Sequence, residues 1–158
     1  MLLLAATSVH ARPVAISKSF ETDKKLSAGV MLGVPTGLSL EYMLTPTLAV
    51  DLGVGAYLLY RERDGFHVHG DLLWHPFVAV DGVSFQAPLY VGVGARFLRH
   101  DGITHLGVRA PVGISFVFNK TPVEVFMEGA LVVDFSVSEP DQGAVDVNGL
   151  VGLRYFFR

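Results

Sequence analysis

The sequence predicts an all-β fold, an eight-stranded antiparallel up-and-down β-barrel. The first observation is that apolar and polar residues alternate with a period of two in eight segments between Lys25 and Phe157, which is typical of strands that separate two different surroundings. The second observation is that only short stretches rich in Gly, Pro, Asp or Asn separate these segments, so neighbouring strands should form antiparallel hairpins. Eight such strands in succession close into a barrel, which leaves no open edge.

Each predicted strand combines an alternating segment with a turn signal at its end. The strands are Lys25–Val34, Leu38–Leu44, Leu48–Tyr60, Phe66–Val80, Phe85–Arg99, Thr104–Phe118, Val123–Val137 and Val145–Phe157. The connections between them are Pro35-Thr36-Gly37, Thr45-Pro46-Thr47, the charged loop Arg61–Gly65, Asp81-Gly82, Asp101-Gly102, Asn119–Pro122 and the polar loop Ser138–Ala144.

The alternation also predicts which side chains share a face of the sheet. It is clearest in the third strand, where Leu52 and Val54 alternate with Asp51 and Gly53. In the fourth strand the same rule predicts one face made of His67, His69, Asp71, Leu73, His75 and Phe77. This face contains Asp71 and corresponds to the charged face of the other strands. We therefore expect all of these residues to point into the barrel.

Almost all charged side chains of the strands fall on one of the two faces, and the other face is apolar. The charged set is Glu41, Asp51, Asp71, Arg96, Arg109, Glu124, Glu128, Asp134 and Arg154. A soluble lipocalin-like barrel would turn this face to water and bury the apolar one. Two features favour the reverse arrangement in a membrane: glycines concentrate on the charged face, as a narrow barrel interior requires, and aromatic residues gather at strand ends, as in interfacial girdles. We therefore expect a transmembrane barrel with Leu52, Val93, Val112 and Leu131 in contact with lipid.

The composition restricts the other possible classes. Hydrophobic residues make up 51% of the chain and charged residues 17%, yet no apolar run approaches the roughly 20 residues of a membrane-spanning helix. Cysteine is absent, which excludes disulfides, thiolate metal sites and a cysteine nucleophile. The net charge of −3 and the scattered Lys and Arg residues make nucleic acid an unexpected partner.

The first residues, MLLLAATSVHA, are typical of the end of a secretory signal peptide, although an apolar N-terminus without that role would read the same. The predicted organisation is a signal-peptide remnant at 1–11, a polar lead-in at 12–24 and a barrel at 25–158. With the N-terminus in the periplasm, the connections at Thr45-Pro46-Thr47, Asp81-Gly82 and Asn119–Pro122 should lie on the periplasmic side and the other four should face outward.

Two stretches resemble a known family. Gly152, Tyr155 and Phe157 resemble the C-terminal signal by which bacterial outer-membrane barrels are recognised for assembly, although Leu150 and Arg158 depart from its usual form. The stretch Leu40–Tyr57, LEYMLTPTLAVDLGVGAY, resembles the strand-turn-strand units of small OmpA-like outer-membrane barrels. The resemblance implies a location in the outer membrane of a Gram-negative bacterium, with membrane lipid and the barrel-assembly machinery as partners. Because many unrelated activities share this pattern, it supports the fold better than any function.

The interior of an eight-stranded barrel is just wide enough for its own side chains to fill it, so we expect a packed polar core. The predicted interior ion network contains Glu128, Arg154, Arg96, Arg109, Asp71, Glu124 and Asp134. Folding the last hairpin about Ser138–Ala144 brings Glu128 level with Arg154, which predicts an ion pair between them. A gated ion path through the same network is the alternative.

Histidines form the second candidate cluster. His67 and His69 in the fourth strand and His105 in the sixth strand should meet at the outer rim of the barrel, where they could bind a metal or a proton. Since Arg96 on the intervening strand would repel a metal ion, we expect proton sensing before metal binding. Rim histidines that are hydrogen-bonded to Asp71 or to water are the simpler alternative.

No set of residues predicts catalysis or a cofactor. The outward face has no Ser, His, Asp or Glu in mid-strand, and Ser115 and Ser136 point inward without a histidine at their level. The sequence therefore predicts a structural protein or an interaction platform. A lipid-modifying enzyme and a small-solute pore are the alternatives from other classes, together with the soluble lipocalin-like barrel.

Overall fold

A computed structural model describes residues 25–56, 65–100, 102–137 and 143–157. The chain forms a closed barrel of eight antiparallel strands that follow one another in sequence order, which confirms the predicted fold. The strands are β1 (Leu26–Gly33), β2 (Thr36–Thr45), β3 (Leu48–Ala56), β4 (Gly65–Asp81), β5 (Phe85–His100), β6 (Ile103–Phe118), β7 (Val123–Ser136) and β8 (Gly143–Phe157). Within the described ranges no helix is long and apolar enough to cross a membrane.

The barrel closes by pairing its first and last strands. β1 and β8 are antiparallel from the Leu26–Phe157 pair to the Gly33–Leu150 pair. The start of β1 and the end of β8 therefore lie at one end of the barrel, together with the three tight connections β2–β3, β4–β5 and β6–β7. We call this the turn end, and we call the opposite end, which carries the other four connections, the loop end.

The two faces of the sheet differ sharply in polarity. The outward side chains of all eight strands are apolar and exposed, for example Leu38 at 66%, Val93 at 56% and Val147 at 72%. The residues predicted to lie outward at mid-strand, Leu52, Val112 and Leu131, are also exposed. Among the strand residues that the structure describes, only Arg99, near the loop end of β5, carries charge on the outside. This is the reverse of a lipocalin, which encloses its apolar face.

The fourth strand departs from the prediction in one respect. Phe77 was expected inside but is 37% exposed on the outer face, because the β4–β5 register shifts between Trp74 and Phe77. The irregular segment contains Pro76, which has no N–H to donate to the ladder, and such residues are tolerated at bulges. One extra residue in the strand reverses the parity beyond it, and a second register shift between Val78 and Val80 restores it before the end of the strand.

Several predicted features lie outside the described residues. These are the signal-peptide remnant at 1–11, the lead-in at 12–24, the end of the third predicted strand with most of the charged loop at 57–64, and most of the polar loop at 138–142.

Candidate functional site

The barrel interior contains three arginines whose side chains are almost completely excluded from solvent. They are Arg96 on β5, Arg109 on β6 and Arg154 on β8. The strand alternation points them inward, where they meet six buried carboxylates: Glu41, Asp51, Asp71, Glu124, Glu128 and Asp134. An isolated buried charge is strongly unfavourable, so the arrangement depends on how these groups pair.

Arg154 connects four strands across the interior. Its Nε donates to Ser39 Oγ at 2.8 Å and its Nη1 donates to Glu41 Oε2 at 2.9 Å, both on β2. Its Nη2 donates to Asp51 Oδ1 on β3, and Nη1 lies 3.7 Å from Glu124 Oε1 on β7. One guanidinium therefore contacts three carboxylates, and we call these residues the Arg154 cluster.

Arg109 forms a second set of contacts. Its Nε lies 3.1 Å from Asp71 Oδ2, and its Nη2 donates to Glu128 Oε1. The hydroxyl of Tyr90 donates to the other oxygen of Glu128 at 3.1 Å. The carboxylate of Glu128 is thus held by one charged and one neutral donor.

Arg96 points away from both of these sets, toward β7 and β8. Its Nε and Nη2 donate to the two oxygens of Asp134, a bidentate pair. Its Nη1 donates to Asp146 Oδ2 at 3.0 Å and to Asn148 Oδ1 at 2.9 Å. The guanidinium of Arg96 is therefore directed at β7 and β8, although its backbone is paired with His69 on β4.

The predicted pairing of Glu128 with Arg154 is wrong. The β7–β8 register places Glu124 opposite Arg154 and Glu128 opposite Leu150, four residues away from the predicted alignment. A shift by an even number of residues keeps every side chain on its own face, so the alternation cannot detect it. All seven residues of the predicted network are buried in the interior, but Glu128 is paired with Arg109.

This correction gives a testable result. A double-mutant cycle on Arg109→Met and Glu128→Gln should show a coupling energy on the order of 1–3 kcal/mol in equilibrium unfolding, because the two groups are in direct contact. The matched cycle on Arg154→Met and Glu128→Gln should show a much smaller coupling. Equal coupling in the two cycles would contradict the pairing described here.

The histidines do not meet at the rim as predicted. His67 and His69 are 0% and 2% exposed, and the Nδ1 of His69 lies 3.2 Å from the Nε2 of His67. A side chain at Gly53, the residue opposite His69, would collide with the His69 ring, so the ring lies on the barrel wall over this glycine. The prediction placed these residues at the rim because they are close to the start of β4, but the missing side chain lets the ring pack inside.

His105 lies elsewhere, at the mouth of the loop end. It lines a half-open cavity of about 320 Å³ with Arg96, Leu98, His100, Asp134, Ala144, Val145 and Asp146. Among the residues that the structure describes, His69 groups with Asp51 and Asp71 and not with His105. The sequence prediction missed the part of Asp51 in this group, because the alternation within a strand does not give the β3–β4 register.

The C-terminal motif contributes to packing. Gly152 lies directly opposite Phe126, and any side chain at Gly152 would collide with the Phe126 ring. That ring in turn lies under the guanidinium of Arg154, at 3.8 Å from its centroid to Cζ. Tyr155 and Phe157 point outward, are half exposed and contact each other edge to face at 5.4 Å between ring centroids. The recognition of these residues by assembly machinery stays a prediction.

Apolar residues fill the interior between the charged groups. One cluster consists of Met43, Ala49, Leu73 and Tyr90, and a second consists of Met31, Phe126 and Leu150. In the interior toward the turn end, a cavity lined by Glu41, His75, Ser115 and Glu124, among others, has a volume of only about 10 Å³. Toward the turn end the interior is therefore filled by side chains, as expected for eight strands.

The barrel is similar to a β-barrel domain of known crystal structure. The crystal structure of the N-terminal β-barrel domain of Pseudomonas aeruginosa OprF superposes with a TM-score of 0.52 at 15% sequence identity, over 84% of this chain and 96% of that one. At this level of identity the likeness concerns the fold, and it confirms the eight-stranded OmpA-like barrel. No protein-family model matches the chain, and no curated protein matches it at a significant level.

Proposed function

We propose that this chain is an integral outer-membrane β-barrel with a packed interior, and that it acts as a structural element or an interaction platform. The observation that carries the proposal is the apolar outer surface, which extends over all eight strands while nearly all charged strand residues point inward. Soluble monomers rarely expose apolar patches larger than a few hundred Å². At roughly 25 cal/mol per Å² of apolar surface removed from water, contact of this belt with lipid would be strongly favourable.

The closed sheet supports the same proposal. In a membrane every backbone N–H and C=O needs a partner within the protein, and closure of β1 onto β8 supplies partners at the edges of the sheet. The fold shared with the OprF domain supports an outer-membrane barrel. The C-terminal residues Gly152, Tyr155 and Phe157 are the proposed signal for the barrel-assembly machinery, and the apolar N-terminus is the proposed export signal.

The filled interior supports a role other than a wide pore. Arg154 contacts side chains of β2, β3 and β7, so the guanidinium crosses the middle of the barrel. The apolar clusters described above occupy further interior space. The open cavity at the loop end, lined by Arg96, His100 and His105, is then the natural contact region for a partner outside the membrane.

Membrane fractionation of the full chain expressed in a Gram-negative host tests the proposal. We expect the protein in the outer-membrane fraction, resistant to carbonate extraction, and with a faster gel mobility before heating than after it, because a closed barrel stays folded in detergent below its unfolding temperature. The OprF barrel domain expressed in parallel is the matched control for fractionation.

Two results would contradict the proposal. Recovery of folded protein in the soluble fraction would overturn the membrane location. The purified protein could instead show a stable ion conductance in planar bilayers that is abolished when larger side chains are introduced into the interior. That result would replace the structural role with that of a pore.

A further inference from the structure

We propose that Asp51, His69 and Asp71 form a site for a divalent first-row transition metal ion such as Zn²⁺ in the barrel interior. One ligand atom from each of these residues lies within 4.8 Å of the others, and all three side chains are buried. Neither the proposed function nor the membrane location requires this site. Its test is therefore independent of both.

The backbone register brings the two carboxylates together. Asp51 on β3 and Asp71 on β4 are directly paired residues that both point inward. Like charges opposite each other on neighbouring strands are destabilising unless a positive charge lies between or beside them. His69 is two residues from Asp71 on the same face, and its Nε2 lies 3.7 Å from Asp51 Oδ2.

The arginines occupy one side of each carboxylate. Arg154 contacts Oδ1 of Asp51, and Arg109 lies 3.1 Å from Oδ2 of Asp71. Oδ1 of Asp71 is buried and has no hydrogen-bond partner among the described residues. A buried carboxylate oxygen without a partner is costly and needs an explanation, and a bound cation supplies one.

The backbone makes room for the ligands. A side chain at Gly53 would collide with the ring of His69, and a side chain at Gly94 would collide with Oδ1 of Asp71. Gly53 on β3 thus leaves space for the imidazole, and Gly94 on β5 leaves space for the carboxylate. Ligand atoms at 2.0 to 2.2 Å from a zinc ion lie about 3 to 3.5 Å apart. The observed spacings are 3.7 Å between His69 Nε2 and Asp51 Oδ2 and at most 4.8 Å within the group, so side-chain rotation closes the site.

The surrounding groups are those expected around metal ligands. The Nδ1 of His69 lies 3.2 Å from the Nε2 of His67, a hydrogen bond that would fix the ring and leave Nε2 of His69 facing the carboxylates. Arg109 and Arg154 would orient the two carboxylates in the same way. A set of one imidazole nitrogen and two carboxylate oxygens suits Zn²⁺, Co²⁺ or Mn²⁺.

The charge balance also favours a cation. Five carboxylates contact the guanidiniums of Arg109 and Arg154, namely Glu41, Asp51, Asp71, Glu124 and Glu128. Five negative and two positive formal charges leave a surplus of three, which a divalent cation would reduce to one. Arg96 is the ladder partner of His69, but its guanidinium is neutralised by ion pairs with Asp134 and Asp146 on β7 and β8.

The test uses the full chain refolded into detergent with Zn²⁺, desalted, and analysed for bound zinc. We expect about one zinc per chain in the parent protein, and loss of zinc in Asp71→Asn and His69→Gln by a factor of about ten or more. The matched control is His75→Gln, which removes another inward-facing histidine of β4 outside the cluster and should keep its zinc.

A second measurement covers variants that do not fold. Parent protein loaded with Co²⁺ should show visible absorption bands of nitrogen and oxygen coordination, and its urea midpoint should rise with Zn²⁺ concentration, because a ligand that binds only the folded state stabilises it. The proposal would be overturned if the parent protein bound no zinc and its urea midpoint did not change with Zn²⁺ concentration. The surplus negative charge would then be assigned to bound protons. Equal zinc retention by folded Asp71→Asn would do the same.

Discussion

Replacing Arg154 by Met is expected to destabilise the barrel by on the order of 3–5 kcal/mol or more, the cost of leaving buried carboxylates without their counter-charge. Three carboxylates contact this guanidinium, and its side chain is 1% exposed. The methionine keeps much of the volume over the Phe126 ring, so loss of packing is a minor part of the effect. Equilibrium unfolding in urea, followed by the gel shift of the folded barrel, measures the change.

The matched control is Arg99→Met, which removes an exposed arginine from the outer face of β5 and should change stability by less than about 0.5 kcal/mol. A rescue variant separates charge from packing. Arg154→Met combined with Glu41→Gln, Asp51→Asn and Glu124→Gln removes the unpaired charges and should recover most of the loss. If the combined variant is less stable than Arg154→Met alone, the loss does not come from uncompensated charge.

Replacing Val93 by Arg is the second change with a large expected effect. Val93 is 56% exposed at the middle of β5, and in a bilayer an outward arginine near the midplane costs about 2–4 kcal/mol. In water the same substitution at an exposed site would be close to neutral. Unfolding in lipid vesicles, compared with the parent protein, therefore distinguishes the two surroundings.

Val83→Arg is the control for this experiment. Val83 is 90% exposed in the connection between β4 and β5, so the same change lies at the turn end of the barrel, away from mid-strand. We expect a cost of about 0–1 kcal/mol there, as for an arginine near the interface. Similar, small effects at Val83 and Val93 would contradict a lipid-facing belt.

The sequence predicts the strands of this barrel well because alternation is a local property. Predicted and observed bounds agree closely for β5, which was expected at Phe85–Arg99 and is found at Phe85–His100. The inward direction of Arg96, Arg109 and Arg154 follows from the same parity. These predictions need only the position of each residue along its own strand.

The partners of the interior residues were harder to predict, since they depend on register and on contacts across the barrel. A β7–β8 register centred on the polar loop predicts Glu128 beside Arg154, and the observed slip of four residues preserves both faces. Phe77 was misplaced because no pattern marks a bulge except the neighbouring Pro76. Asp51 and His69 come together only through the β3–β4 register and the space above Gly53.

The Arg154 cluster has a consequence for the order of events in folding. Its hydrogen bonds join residues 103 to 115 positions apart in the chain, and they connect the last strand to β2 and β3, to neither of which it is a ladder neighbour. Contacts of such long range form only after the loop-closure entropy of nearly the whole chain has been lost. While β8 is undocked, Arg154 and its carboxylates remain hydrated and are not destabilising. Docking of β8 therefore closes the sheet and neutralises the interior in one cooperative step, and an intermediate with seven paired strands gains nothing from the cluster.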